Sequence, residues 1–119
     1  HPVKSHRVII RLKPKAKPRP RFSKRGRAYT PAAAHIFEDA VQQAWIESGG
    51  PTFTGPVSVS ATFHKDRINV YVKELADDTT TSLTGDIDNY FKSLLDGLQG
   101  EDAAFPNDRQ VMKITGRKA

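Results

Sequence analysis

Apolar and polar residues alternate strictly from Val57 to Phe63, with Val57, Val59, Ala61 and Phe63 set against Ser58, Ser60 and Thr62. That period predicts a strand with one buried face. Ile68, Val70 and Val72 alternate in the same way with Asn69, Tyr71 and Lys73, which predicts a second strand. The intervening His64-Lys65-Asp66-Arg67 is short enough for a hairpin turn. Upstream, the β-branched run Val8-Ile9-Ile10-Arg11-Leu12 predicts another strand. Pro14, Pro18 and Pro20 end it, because proline cannot donate to a ladder. Elsewhere the period lengthens. Ile36, Phe37, Ala40, Val41, Ala44 and Trp45 form one face of an amphipathic helix. Thr30 supplies its N-cap, Pro31 its first residue, and Gly49-Gly50-Pro51 its stop. His35 sits beside that face and reads as a surface or boundary residue.

Phe91, Leu94, Leu95 and Leu98 recur at i, i+3, i+4 and i+7, a second helix. The Thr-rich stretch from Ala76 to Gly85 before it is a loop. After it come a loop at Gln99-Gly100-Glu101-Asp102, a turn at Pro106-Asn107 and a last predicted strand from Gln110 to Thr115. The order is β-α-β-β-α-β. The expected fold is α/β, a mixed β-sheet packed with two helices that bury both apolar stripes. The 119 residues fit a single domain with one modest core. No run of about 18 apolar residues occurs, so no membrane span is expected. No apolar segment of the signal-peptide kind follows the basic start. Cysteine is absent, which excludes disulfides, thiolate metal sites and cysteine nucleophiles, and a cytoplasmic location is expected.

Charge is distributed unevenly. Residues 1–30 hold eleven Lys and Arg and no acid, whereas residues 31–119 hold eight against thirteen Asp and Glu, a net of −5. From Lys13 to Arg27, eight of fifteen residues are basic, interleaved with three prolines. This reads as an extended arm or loop at about 13–30, outside the core. Lys15, Lys17, Arg19, Arg21, Lys24, Arg25 and Arg27 are its candidate contacts with nucleic acid, since such cation density gains affinity by releasing counterions from phosphates. The bland alternative is a solvated basic loop. An acidic body on a polyanion binder raises the question of what its carboxylates do, and metal ions are one answer.

The stretch Gly85-Asp86-Ile87-Asp88-Asn89-Tyr90-Phe91-Lys92-Ser93-Leu94-Leu95-Asp96 carries that question. Asp88, Lys92 and Asp96 lie at i, i+4 and i+8, one stripe of the second helix. Asp88 begins the helix, where the dipole favours a carboxylate. With Gly85-Asp86-Ile87 extended, Asp86 points the same way as Asp88 while Ile87 enters the core. Two carboxylates then converge where a loop or strand end feeds a helix. The competing reading makes Asp88 an N-cap, Asp86 a loop residue and Lys92 a salt-bridge partner. An EF-hand loop begun at Asp86 fails, because Phe91 and Gly97 occupy the positions that need Gly and Glu. No P-loop or dinucleotide fingerprint occurs, and no strained nucleophile turn is recognisable for a Ser/His/Asp triad. Asp96 reads as a surface residue two turns on.

This stretch, with Phe105-Pro106-Asn107-Asp108-Arg109-Gln110-Val111, resembles the signature of the RusA family of Holliday junction resolvases: a D-[LI]-D-N-x-x-K helix start, then a loop ending in D-D-x-Q-[VI]. Lys17-Pro18-Arg19-Pro20-Arg21-Phe22 and Gly26-Arg27-Ala28-Tyr29-Thr30-Pro31 are similar to the opening of phage-type members. The matches run from about residue 14 to 112, and the C-terminal pair of motifs is the specific part.

The resemblance implies that Asp86, Asp88 and Asp108 are catalytic, metal-binding carboxylates and that Lys92 is the essential lysine beside them. Asn107 replaces the first Asp of the usual pair, and Thr84-Gly85 stands where members often carry Lys-Pro. The implied cofactor is Mg²⁺, with Mn²⁺ as its substitute. The implied activity is symmetric hydrolysis of four-way DNA junctions in recombination and repair. The implied partners are branched DNA and a second copy in a C2 homodimer, with no membrane, in the cytoplasm of a bacterial host if phage-encoded. Trp45 and Phe37 fit a core and an interface equally. Two rival functions are a non-catalytic nucleic-acid-binding protein and a Mg²⁺ nuclease acting on other branched DNA.

Overall fold

The hairpin expected from alternation is the frame of the first part of the chain. A computed structural model describes residues 4–16, 21–22, 28–29 and 32–119. Two compact units are distinguished, His1–Asp77 and Asp78–Ala119. In the first, β1 (Ser5–Ile10), β4 (Val57–Phe63) and β5 (Ile68–Glu74) form an antiparallel sheet in the order β1-β5-β4. The β4–β5 register runs from Val57↔Glu74 to Phe63↔Ile68, and His64 N–H closes the turn on Arg67 O at 2.8 Å. β1 begins earlier and ends sooner than the Val8–Leu12 run, because its ladder with β5 runs from Ser5↔Lys73 to Ile10↔Ile68. β2 (Arg21–Phe22) and β3 (Ala28–Tyr29) pair as a short ribbon within the stretch expected to be an arm.

Helix α1 (Ala32–Glu47) lies on β1. Phe37, Val41, Ala44 and Trp45 pack on Val8, Ile10 and Ile68, the buried residues among those described. At roughly 1.5–3 kcal/mol for each fully buried aliphatic side chain, those three outweigh any surface ion pair of the unit. Ile36 was expected on the same face but is 70% exposed. Its position is one residue off the Phe37–Val41–Ala44 line, and the apolar stripe is narrower than the sequence pattern. The expected caps Thr30 and Pro31 lie outside the described residues. The far end of α1 is well defined. Gly50 N–H donates to Trp45 O and Gly49 N–H to Ile46 O, both at 3.0 Å, the paired bonds of a Schellman motif. Gly49 has φ +80°, which favours glycine, and a Cβ on Gly50 would meet the Trp45 indole.

Two further expectations fail. The apolar row of β4 was expected to be a buried face, yet Val59 and Phe63 are 64% and 69% exposed. Within this unit α1 covers β1, and β4 is the strand at the opposite edge. The last strand, expected from Gln110 to Thr115, is also not formed. Asp108–Gln110 is a short 3-10 turn, and 111–119 follows without a ladder. Local side-chain bonds explain the turn. Asn107 Oδ1 accepts from Arg109 N–H at 2.9 Å, and Gln110 Oε1 accepts from Asn107 N–H at 3.1 Å, a reciprocal cap that competes with strand formation. The α/β class and the two helices are as expected, but all ladders among the described strands are antiparallel.

In the second unit, α2 (Ile87–Leu98) starts where the carboxylate stretch predicts a helix. No described residue of α2 is fully buried within the chain. Ile87, expected to enter the core, is therefore exposed and shares a groove with Leu83, Tyr90 and Leu94.

Candidate active site

Asp86, not Asp88, is the N-cap of α2, with extended backbone at φ −74° and ψ 142°. Its carbonyl accepts the first helical bonds, from Asn89 N–H at 3.1 Å and Tyr90 N–H at 3.3 Å. Its carboxylate makes no capping bond. An aspartate at this position ordinarily accepts from the second or third helical N–H, so the carboxylate here is left available for another use. Asp88 is the second helical residue, in the turn where the positive end of the dipole stabilises an anion.

Asp88, Lys92 and Asp96 follow one stripe of α2 and line an open depression of about 290 Å³. Its apolar side is Phe91, Leu95 and Ile114, and Asp108 completes the rim. Asp96, read from sequence as a bystander, thus faces the same depression. Asp86 does not line it. No ion pair joins Asp88 to Lys92, and the carboxylates of Asp88 and Asp108 have no partner among the described residues.

Asp108 reaches α2 through a tightly closed loop. Ala104 N–H donates to Leu98 O and Gly100 N–H to Phe105 O, both at 2.9 Å, and Gln99 pairs with Phe105 in a parallel bridge. The Gln99 side chain then accepts from Asp108 N–H at 2.8 Å. Asn107 holds the turn from the other side through its two bonds from Arg109, N–H at 2.9 Å and Nε at 3.2 Å. Asn107 therefore spends its side-chain oxygen on the turn, and Asp108 is the residue of the pair that faces the depression. Asn-x-x-Gln is a legible capping signal, while the role of Gln99 has none in sequence.

The profile of the family described as Endodeoxyribonuclease RusA matches residues 11–119, nearly the whole chain. The chain belongs to the RusA family. No curated protein and no solved structure matches it. RusA is an endodeoxyribonuclease family, which makes the depression a candidate site for DNA hydrolysis. Among the described residues no three acidic or histidine side chains converge closely enough to hold one metal ion together. The donor chemistry nevertheless fits a hard cation of the kind RusA chemistry implies. Mg²⁺ keeps several waters and is commonly bound by one or two carboxylates plus substrate phosphate, and Asp88 and Asp108 offer two such carboxylates in one open depression.

Of the candidate DNA contacts, Lys15 is exposed. Arg21 begins β2, and Lys17, Arg19, Lys24, Arg25 and Arg27 lie outside the described residues. No described helix is long and apolar enough to cross a membrane.

Proposed function

We propose that this RusA-family chain is a Mg²⁺-dependent, structure-selective endonuclease that resolves four-way DNA junctions by symmetric cleavage, acting as a C2 homodimer. The observation that carries the reading is the shared depression of Asp88, Lys92 and Asp108, whose side chains have no partner among the described residues, in a chain whose residues 11–119 match the family. Asp88 and Asp108 are the residues that would hold the ion, with Asp86 at the neighbouring N-cap as the third carboxylate. When bound, a divalent cation polarises the scissile phosphate and lowers the pKa of a water.

The chain's own groups do the rest. The Lys92 ammonium stands one helical turn from Asp88 and offers a positive charge to the phosphoryl oxygens as negative charge accumulates on them in the transition state. Phe91, Leu95 and Ile114 supply an apolar wall that reduces competition from water for those charges. The basic stretch at 13–30 holds the junction backbones. Two-fold symmetry of the enzyme matches the near two-fold symmetry of a junction in which two strands are cut.

A panel of labelled substrates tests this: four-way junction, fork, flap, single strand and duplex, each with Mg²⁺, Mn²⁺ or EDTA. Paired, symmetric cuts in the junction with either metal and none in EDTA are expected. Faster cutting of forks or flaps assigns another branched substrate. Binding without cleavage under every condition makes the chain a non-catalytic DNA-binding protein. Light scattering of the purified chain, expected at twice the 13.2 kDa protomer, reads the oligomeric state.

A further inference from the structure

We propose that Lys118 and Tyr90 are positioning residues that set the direction of Asp86. The proposal rests on the reading of Asp86 as a carboxylate of the nuclease site. Of the three aspartates, Asp88 is oriented by the helix and Asp108 by its capped turn. Asp86 is different, because it stands at a junction. The direction of its Cα–Cβ bond is determined by the two peptide planes that flank it. The plane after Asp86 is held by the helix, through the bonds from Asn89 and Tyr90 to its carbonyl. The plane before it belongs to the Gly85 carbonyl, and Lys118 Nζ donates to that oxygen at 3.1 Å. Among the described residues this is the one hydrogen bond made to that peptide.

A second bond fixes the preceding peptide. Gly85 N–H donates to the Tyr90 hydroxyl at 3.0 Å. The contact is close enough that a Cβ on Gly85 would stand 3.0 Å from the Tyr90 oxygen, tighter than ordinary packing. Gly85 is thus held at both its N–H and its carbonyl, by a residue of α2 and a residue of the final segment. That segment is itself anchored. A Cβ on Gly116 would collide with the Phe91 ring, so the segment runs directly against α2. On its other side the Thr81 hydroxyl donates to Ala119 O at 2.8 Å and accepts from Leu83 N–H at 3.0 Å. Lys118 is part-buried between these two anchors. An ammonium donating to a carbonyl is a charge-assisted bond, stronger than a neutral one, and a long side chain is ordered to make it.

The comparison of Lys118→Met, Lys118→Arg and Tyr90→Phe with the parent enzyme tests the assignment. Hydrogen exchange of the metal-free protein is read at Gly85 and Asp86, Mn²⁺ affinity by calorimetry, cleavage by kcat, and folding by thermal midpoint. Lys118→Met is expected to speed exchange at 85–86, weaken Mn²⁺ binding and lower kcat about 10–100-fold, as a misplaced group near the chemistry does. Junction affinity in EDTA should be unchanged, and Lys118→Arg should restore part of the loss. Wild-type kcat and Mn²⁺ affinity in Lys118→Met overturn the proposal. So does a lowered thermal midpoint with unchanged kcat per folded molecule, which marks a purely structural tie. If Lys118→Met does not fold, Tyr90→Phe decides by the same readouts, wild-type values again overturning the assignment. Absence of metal-dependent cleavage by the parent chain defeats the nuclease reading itself, cleavage that survives in Asp88→Asn, run in parallel, defeats the carboxylate assignment, and the exchange and calorimetry arms separate those failures from this one.

Discussion

Asp88 and Lys92 stand one helical turn apart on α2, line the same depression and are not ion-paired. A surface helix with this spacing ordinarily gains a few tenths of a kcal/mol from such a pair. Here the two charges face a common space instead, which Asp108 also lines. That arrangement leaves both signs of charge available to a ligand that carries phosphate and cation together.

Replacing Asp88 by Asn removes one negative charge and preserves shape. Junction binding in EDTA should be retained, because the basic stretch is untouched. Cleavage in Mg²⁺ should fall by about 10²-fold or more, in line with loss of a group that stabilises transition-state charge. Single-turnover cleavage and a binding isotherm on the same junction check both halves, and a surviving rate would show that the carboxylate assignment is wrong.

Lys92→Met keeps much of the side chain's bulk and removes its charge. The expected loss is about 10²–10³ in kcat, with little change in affinity. One lost phosphate contact changes the salt slope of binding by at most about 0.9. A large loss of affinity with normal kcat would instead make Lys92 a binding residue.

Changing Arg19, Arg21, Lys24 and Arg25 together to Ala should weaken junction binding and reduce the salt slope by about 3 to 4 if each contacts a phosphate. The rate at saturating junction should be maintained. Titrations across salt concentrations measure the slope, and an unchanged slope would remove the basic stretch from the DNA interface.

Asn107→Ala removes the oxygen that caps the 108–110 turn, at a cost of about 0.5–2 kcal/mol. Cleavage should fall with it, since Asp108 loses its support. Asn107→Asp retains a capping oxygen and should keep both stability and activity. Thermal melting and cleavage on the two variants separate the cap from any direct role of residue 107.

Much of this was legible in the residues. The β4–β5 hairpin followed from alternation and a four-residue connection, and α2 began at the carboxylate stretch because apolar period and dipole agree there. What escaped was whatever depends on a distant neighbour. The apolar row through Val59 and Phe63 has the period of a buried strand, but burial depends on what covers it. The Gln110–Thr115 run has strand-like composition, yet Gln110 is recruited by Asn107 a few residues away. Asp96 shared the Asp88–Lys92 stripe and could have been kept on spacing alone. Gln99 and Lys118 act through backbone groups nine and 33 positions away, and no local pattern announces such bonds.

The Gly49-Gly50 end of α1 has a practical corollary. It seats the chain's one tryptophan, Trp45, with its indole N–H on Pro51 O at 3.0 Å and His6 edge-on at 4.9 Å. Tryptophan emission therefore reports on the sheet-bearing unit alone, whereas the carboxylate-bearing unit holds Tyr90 as its single tyrosine. Tyr29 and Tyr71 belong to the other unit, so melting followed at Trp45 and, in a Tyr29→Phe/Tyr71→Phe background, at Tyr90 will show whether the scaffold and the chemistry come apart together or in sequence.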